Sequence, residues 1–262
     1  MNDLDMSAAL KAAHHMADMA RPIARKYWLA PKDVEFKADH SFLTPADLAI
    51  ERGWRTYLQQ SFPGHAILGE EFGHSAGEAS YTWVLDPIDG TRQYGMGLGN
   101  FSTLIALCDD SGQPILGMMD LPLMDARFFG VRGQGAWLNT RRLQVSDQRD
   151  LSSALVMLAN QNSFEGPEAT AYERLRACAD GAAFDAGSPA YGALAAGKVD
   201  LCLNGGDLNA HDICALVAIV TEAGGCITDW AGGSLGLNSS GAIVASATPA
   251  LHEAALGVLQ QD

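Results

Sequence analysis

Four apolar segments lie between Tyr81 and Val131, separated by stretches that contain the turn formers Gly, Pro and Asp. They cover residues 81–86, 101–108, 115–120 and 126–131. Each segment has the composition of a β-strand, and the turn residues end one strand before the next begins. This part of the chain therefore predicts an antiparallel meander.

The rest of the chain after the meander alternates between strand-like and helix-like segments. We expect strands over 154–158, 183–184, 201–203, 226–229 and 242–245, and helices over 169–178, 191–196, 212–223 and the C-terminus. Such alternation predicts a layered α/β arrangement. We place the division between an N-terminal half, 1–145, and a C-terminal half, 146–262, at this change of pattern.

Two amphipathic helices are predicted before the meander. Apolar and polar residues recur at helical spacing over 4–28, until Ala30-Pro31 ends the pattern. A second helix is predicted over 45–60, because Thr44 is a suitable N-cap and Pro45 suits the first turn. Residues 32–42 between the two helices are expected to form a polar loop or hairpin.

Composition and charge exclude several classes of protein. With 262 residues, 48% hydrophobic and 18% charged, the chain has the composition of a globular protein, as one large domain or two packed ones. A net charge of -14 argues against nucleic acid and anionic membranes as partners. No signal peptide or membrane span is recognisable, so we expect a cytoplasmic protein. The cysteines are widely spaced and predict neither a disulfide framework nor a zinc site.

Acidic residues stand at the ends of predicted elements, where carboxylates can converge on one place. They are Asp47, Glu70, Asp86, Asp89 and Asp212. Converging carboxylates repel one another unless cations lie between them, and oxygen ligands of this kind select Mg²⁺, Mn²⁺ or Ca²⁺. We expect Mg²⁺, which would also reverse the local charge for an anionic substrate.

The hexapeptide Asp86-Pro87-Ile88-Asp89-Gly90-Thr91 follows a predicted strand and carries two of these carboxylates. Its proline fixes one backbone angle, and the N–H groups of Gly90 and Thr91 can face a phosphate oxygen. An Asp-Gly turn without any function remains an alternative for this segment alone. Likewise, Asp212 alone is also consistent with a helix N-cap, and Glu70-Glu71 with a solvated pair.

Together the motifs resemble the inositol monophosphatase family over residues 37–247. They are Thr44-x-x-Asp47-x-x-x-Glu51, Gly69-Glu70-Glu71, the hexapeptide, and Asp212 before a helix that ends at Glu222-Ala-Gly-Gly225. The resemblance implies an α/β (α+β) fold, a layered αβαβα sandwich of the inositol monophosphatase and fructose-bisphosphatase type. It further implies a homodimer that hydrolyses a small phosphate ester and depends on Mg²⁺.

The resemblance also implies a set of metal ligands. One ion would be held by Glu70, Asp86 and the carbonyl oxygen of Ile88, and a second by Asp86, Asp89 and Asp212. A third, weaker ion would be held by Glu70 and water, so two or three Mg²⁺ ions are expected, with Mn²⁺ as a substitute.

Catalytic roles are implied in the same way. Asp47 and Thr91 would orient the water that attacks phosphorus, and Glu70 is the third predicted catalytic residue. Lys37 resembles the lysine of the family's mobile loop, although a solvated loop lysine is the alternative. Metal-assisted hydrolysis of this kind needs no covalent phosphoenzyme.

The substrate is less constrained than the reaction. Segments 101–107, 117–122 and 226–230 resemble the histidinol-phosphate phosphatase branch. Two positions depart from it: Gly205 replaces a glutamate that both this branch and the inositol branch tend to carry, and Ser188 replaces an aspartate.

We predict L-histidinol phosphate as the substrate, because Asp207 and Asp185 could bind its cationic amine. The predicted substrate-binding residues are Gly90, Thr91, Gly187, Ser188, Asp207 and Asp212. Inositol monophosphate, sugar phosphates and 3′,5′-bisphosphate nucleotides remain alternatives. A regulatory binding partner without activity is the non-enzymatic alternative, and the complete set of carboxylates argues against it.

Overall fold

The computed structural model describes residues 5–30, 35–36, 42–179 and 181–261. Its helices are α1 (Met6–Trp28), α2 (Pro45–Ser61), α3 (Thr91–Gly95), α4 (Pro167–Cys178), α5 (Pro189–Ala195), α6 (Ala210–Glu222) and α7 (Pro249–Leu259). Within these ranges, none of the helices combines the length and the hydropathy needed to cross a membrane.

The strands form two large sheets and one short hairpin. They are β1 (Glu35–Phe36), β2 (Phe42–Leu43), β3 (Ala66–Gly69), β4 (Gly73–Ser75), β5 (Thr82–Asp89), β6 (Ser102–Cys108), β7 (Pro114–Leu121), β8 (Ala126–Val131), β9 (Gly135–Leu138), β10 (Arg141–Arg142), β11 (Leu155–Leu158), β12 (Gly181–Phe184), β13 (Leu201–Asn204), β14 (Cys226–Asp229) and β15 (Ile243–Ser246). Strands β1 and β2 pair antiparallel, as the hairpin alternative for this segment predicted.

The larger sheet has eight strands in the order β10-β9-β8-β7-β6-β5-β3-β4. From β5 to β10 consecutive strands pair antiparallel, which confirms the predicted meander. Strand β3 instead joins β5 in parallel, with Gly69 opposite Leu85. Because both strands run in the same direction, the residues that follow this pair, Glu70 after β3 and Asp86 within β5, lie next to each other.

The smaller sheet has five strands in the order β12-β11-β13-β15-β14. Strand β11 pairs in parallel with both neighbours, and the β13–β15 and β15–β14 pairs are antiparallel. Parallel neighbours require crossover connections, and α4 and α5 supply them. The alternation of strands and helices after the meander is thereby confirmed.

The elements stack in five layers. Helices α1 and α2 pack on one face of the eight-stranded sheet, and α5 and α6 fill the space between the two sheets. Helices α4 and α7 cover the outer face of the smaller sheet. This is the predicted αβαβα sandwich. The halves share the core around α6, and the boundary near residue 145 stays a prediction.

Candidate active site

The hexapeptide lies at the end of β5, and its local conformation differs from the prediction. The strand was expected to end at Asp86, with Asp89 in the following turn, whereas β5 continues to Asp89. Pairing with β6 is interrupted between Asp86 and Asp89 and resumes where Asp89 faces Ser102. Pro87 has no N–H to donate, so an irregularity at this point avoids the loss of a ladder hydrogen bond.

Three carboxylates converge beside the end of β5, and we call them the carboxylate cluster: Asp86, Asp89 and Asp212. One oxygen of each lies within 4.8 Å of the others. Asp212 reaches the cluster from the first turn of α6, where Asn209 N donates to its Oδ2 at 2.7 Å. The N-cap reading of Asp212 is therefore wrong, because Asn209 caps α6 and Asp212 is its third residue.

Burial and mutual repulsion disfavour the charged forms of the cluster. Burial is the larger cause that raises the pKa of Asp86 and of Asp212 well above the ordinary value, and neighbouring negative charges add to it. The pKa of Asp89 is also raised by burial, although hydrogen bonds from Ser188 oppose the shift. The charge of Glu70 contributes to all three shifts, and Glu70 lines the same cleft as Asp89 and Asp212.

A divalent cation fits this arrangement. Asp86 is 1% exposed, and within the described part of the chain its Oδ1 has no hydrogen-bond partner. A buried carboxylate oxygen without a partner is costly unless a cation compensates it. The donor set consists of carboxylate oxygens, which suits a hard cation and not zinc.

An open cleft of about 300 Å³ lies over the cluster. It is lined by most of the predicted site residues, namely Glu70, Asp89, Gly90, Thr91, Gly187, Asp207 and Asp212. Asp47, Asp86, Ile88 and Ser188 are buried, and they do not line the cleft. Elements of both sheets thus bring the predicted residues to one place. Lys37 lies outside the described residues.

Asp47 is held by the start of its own helix. Its Oδ2 accepts from Thr44 N at 2.8 Å and from Thr44 Oγ1 at 2.5 Å, which is the capping box of α2. Its Oδ1 is buried without a partner among the described atoms. Burial raises the pKa of Asp47 to about 6, and the charge of Glu70 contributes. One oxygen is thus anchored, and the other is left to accept a proton.

Thr91 and Gly90 occupy the turn between β5 and α3. Gly90 has a φ of 85°, a left-handed conformation that glycine adopts without strain, and it begins the short helix α3. Thr91 Oγ1 donates to the carbonyl oxygen of Ile88 at 2.8 Å. That donation leaves the lone pairs of the Thr91 hydroxyl available as acceptors. The roles predicted for Gly90, Thr91 and Ile88 stay predictions.

A pair of serines connects the carboxylate cluster to both sheets. Ser188 donates to Asp89 Oδ2 through its hydroxyl, and its Oγ lies 2.8 Å from Ser102 Oγ on β6. Sequence reasoning missed Ser102, because nothing in a buried strand distinguishes a serine that contacts a distant loop. A direct contact between Ser188 and substrate stays a prediction.

Other residues of the cleft were also missed. Arg92 is the cationic residue that lines it within the described ranges, and its guanidinium lies 5.8 Å from the ring centroid of Phe42. Its position directly after the hexapeptide was a usable signal, because a phosphate site needs local positive charge. Asn160, Ser163 and Asn204 also line the cleft, and they stand in no motif of the sequence.

The departure at Gly205 has a steric cause. A Cβ built on Gly205 would lie 1.9 Å from the carbonyl oxygen of Ser163 and 2.6 Å from its carbonyl carbon. Both are backbone atoms of the 160–163 loop, so a glutamate cannot occupy position 205 unless that loop moves. Position 205 therefore offers neither a carboxylate nor the space for one.

We expect Gly205→Ala to lower the free energy of unfolding by about 2 kcal/mol or more, because overpacking a close contact typically costs this much. Urea denaturation of both proteins measures the difference. Gly206→Ala is the matched control, because a Cβ there meets only the end of the Glu168 side chain, at 3.3 Å. Equal stability of Gly205→Ala and wild type would contradict the steric account.

Known proteins resemble this chain along its whole length. The family model of the inositol monophosphatase family matches residues 5–262. The bifunctional phosphatase IMPL2, chloroplastic, of Arabidopsis thaliana is 34% identical, covering 99% of this chain and 77% of its own length. A histidinol-phosphatase of Streptomyces coelicolor is 34% identical, covering 96% and 97%.

A solved structure of an inositol monophosphatase from Zymomonas mobilis has a TM-score of 0.90 at 34% identity. The match covers 98% of this chain and 100% of that one. The chain belongs to the inositol monophosphatase family of phosphoric monoester hydrolases.

Proposed function

We propose that this protein is a Mg²⁺-dependent phosphomonoesterase that hydrolyses L-histidinol phosphate to L-histidinol and phosphate. The observation that carries the reaction is the carboxylate cluster, with oxygens within 4.8 Å of one another beside an open cleft. A bound cation would stabilise such a cluster, and cations beside a cleft suit a phosphate ester. Two or three Mg²⁺ ions, which Mn²⁺ could replace, remain part of the proposal.

The proposed ligands are Glu70, Asp86, Asp89, Asp212 and the carbonyl oxygen of Ile88. When bound, Mg²⁺ supplies Lewis acidity toward the phosphoryl group and offsets the negative charge of the ester. Asp86 and Asp89 come from one strand and Asp212 from α6, so the ligands are fixed by the packing of α6 on the larger sheet.

Asp47 and Thr91 are proposed to orient the attacking water. Thr44 anchors Asp47 Oδ2, which leaves Oδ1 to take a proton from the water as its oxygen bonds to phosphorus. The bond between phosphorus and the alcohol oxygen then breaks, the alkoxide takes a proton from solvent water, and Asp47 returns its proton to the solvent. With a pKa of about 6, most Asp47 carboxyl groups are ionised at neutral pH and can accept this proton.

Exposed acidic residues of the cleft support a cationic alcohol. Asp185 and Asp207 line the cleft outside the carboxylate cluster, and the charge of Asp207 contributes to the raised pKa of Asp212. L-histidinol carries an amine that would neutralise either carboxylate, whereas inositol carries only hydroxyl groups. Arg92, on the wall next to the hexapeptide, is available to the phosphate.

The first experiment measures phosphate release from L-histidinol phosphate, inositol 1-phosphate and adenosine 3′,5′-bisphosphate with Mg²⁺, on one preparation. We expect the highest kcat/KM for L-histidinol phosphate. A preference for one of the other esters would contradict the proposed substrate and leave the reaction class intact. If none of the three were hydrolysed, the enzyme proposal would fail in favour of a regulatory partner.

Asp207→Asn sharpens this test. We expect kcat/KM for L-histidinol phosphate to fall about 10-fold or more, because a hydrogen bond to a charged group contributes roughly 1.5–3 kcal/mol. Hydrolysis of inositol 1-phosphate by the same variant is the internal control, since this ester has no amine. An equal loss for both esters would contradict binding of the amine by Asp207.

Inositol monophosphate is the second candidate substrate. The near-complete match to the inositol monophosphatase of Zymomonas mobilis supports it. Gly205 does not discriminate the two substrates, because both branches tend to carry glutamate at this position. The presence of Asp185 and Asp207 in the cleft is the observation that favours the histidinol ester.

A homodimer is proposed as the assembly. Leu29, Met96, Leu98 and Met124 are exposed apolar residues. Trp28 Nε1 donates to the carbonyl oxygen of Leu98 at 3.1 Å, which brings the end of α1 next to the loop after α3. Exposed apolar residues of this kind support burial of their surface against a second copy of the chain.

A further inference from the structure

Glu51 is a fully buried carboxylate of α2 that the proposed mechanism does not use. It is 0% exposed, and its carboxylate accepts backbone hydrogen bonds from the turn that follows β3. Oε2 accepts from Glu71 N at 2.8 Å, and Oε1 accepts from Phe72 N at 3.2 Å. The turn that carries Glu70 is therefore bonded to α2 directly after that residue.

Arg55 completes this attachment from the next turn of the same helix. Its Nε donates to Glu51 Oε1 at 2.7 Å, which compensates the buried negative charge. Its Nη1 donates to Ser75 Oγ at 2.8 Å, and its Nη2 donates to the carbonyl oxygen of Gly73. Glu51 and Arg55 together bind the turn after β3 and strand β4.

Gly69 is the residue that allows this close approach. A Cβ at position 69 would lie 2.0 Å from Glu51 Oε1 and 2.9 Å from Arg55 Nη2. On its other side the turn is fixed to β5, because Glu70 N donates to the carbonyl oxygen of Leu85 at 3.1 Å. The backbone of Glu70 is thus held between α2 and the strand that carries Asp86 and Asp89.

We propose that Glu51 is a positioning residue that fixes the turn after β3, so that the side chain of Glu70 faces the carboxylate cluster and completes the metal site. This proposal rests on the proposed function, because it assigns Glu70 to metal binding. Glu51 itself acts only through the turn, whose amides it binds, and through Arg55.

Glu51→Gln tests this role. The amide keeps the size of the side chain, but it loses the charge and presents an N–H₂ group to one of the present donors. We expect the affinity of the intact protein for Mn²⁺, measured from the electron paramagnetic resonance signal of free Mn²⁺, to fall about 10–100-fold, as is typical for groups that orient metal ligands. Unchanged Mn²⁺ affinity in the folded variant would overturn the proposal.

Asp120→Asn is the matched control. Asp120 is also 0% exposed and bound by guanidinium groups, those of Arg21 and Arg127, at the α1 face of the larger sheet. We expect this variant to lose stability but to keep Mn²⁺ affinity within about twofold, because it orders no metal ligand. An equal loss of affinity in both variants would show a general effect of weakened folding and overturn the proposal.

Arg55→Lys provides a second variant if Glu51→Gln does not fold. Lysine keeps the charge but lacks the planar fork that reaches Gly73 and Ser75, so Mn²⁺ affinity should again fall. Wild-type affinity in this variant would then overturn the proposal. Wild-type protein that binds Mn²⁺ but hydrolyses no ester contradicts the proposed function alone, and wild-type protein that binds no Mn²⁺ contradicts both.

Discussion

Asp89→Asn should reduce kcat/KM for every phosphate ester by about 10³-fold or more, because cation binding contributes several kcal/mol to the transition state. Asp89 is one of the three carboxylates of the cluster, and asparagine keeps its size while removing the charge. The amide oxygen can still accept from Ser188, so the fold should persist. Steady-state phosphate release, circular dichroism and Mn²⁺ binding measure the three consequences.

Asp110→Asn is the control for this variant. Asp110 is an exposed residue of the β6–β7 turn, at the opposite end of β6 from Ser102, and the same chemical change there should leave activity unchanged. If Asp89→Asn kept activity within about tenfold of wild type, the assignment of Asp89 to the cation site would be wrong. Loss of activity with unchanged Mn²⁺ affinity would also contradict that assignment.

Local sequence patterns predicted most elements of the fold because each is bounded by a strong local signal. The strand over 126–131 was predicted with the bounds observed for β8, and Thr44 caps α2 as expected. The parallel pairing of β3 with β5 was not predicted, since it depends on contacts between strands that no local pattern encodes. The extension of β5 to Asp89 was missed because Pro87-Ile88-Asp89-Gly90 reads locally as a turn.

In the candidate site, too, local sequence motifs predicted some residues, and others depend on contacts made only in the folded chain. Its carboxylates were predicted because they stand in motifs, and the fold brings Asp86, Asp89 and Asp212 together. Ser102 stands in no motif, and Glu51 closes the motif that begins at Thr44 without any role following from it. Each acts through a contact made only in the folded chain, Ser102 with Ser188 and Glu51 with the turn after β3.

Metal dependence should also be visible in stability, and it should vary with pH. The native carboxyls of Asp86, Asp89 and Asp212 have raised pKa values, with burial as the largest cause. Without a cation the native state therefore binds more protons than the unfolded chain above the ordinary Asp pKa. Its stability falls as pH rises, by about 1.4 kcal/mol per pH unit for each excess proton. The effect extends to about pH 6 for Asp47, and for Asp86 and Asp212 it extends well above the ordinary pKa of an aspartic acid.

Three partly or fully buried histidines act in the opposite direction, and their effect must be separated from that of the carboxylates. Burial lowers the pKa of His14, His65 and His252, so their contribution to stability increases as pH rises toward the ordinary histidine value. A single pH profile therefore mixes both effects. The contribution of the histidines cancels when the free energy of unfolding is compared between metal-free and Mg²⁺-saturated protein, or between wild type and a cluster variant.

We expect Mg²⁺ to increase the free energy of unfolding more at about pH 8 than at about pH 5.5, because protons compete with the cation for the cluster. At a concentration of 100 times the Kd the increase should be about 2.7 kcal/mol.

In EDTA, Asp86→Asn should gain stability relative to wild type as pH rises, since it removes the repulsion at a carboxyl with 1% exposure. Urea denaturation at both pH values measures these differences. A stability difference between the two metal-free proteins that did not change with pH would mean that Asp86 carries no raised pKa, and the electrostatic account of the cluster would fail.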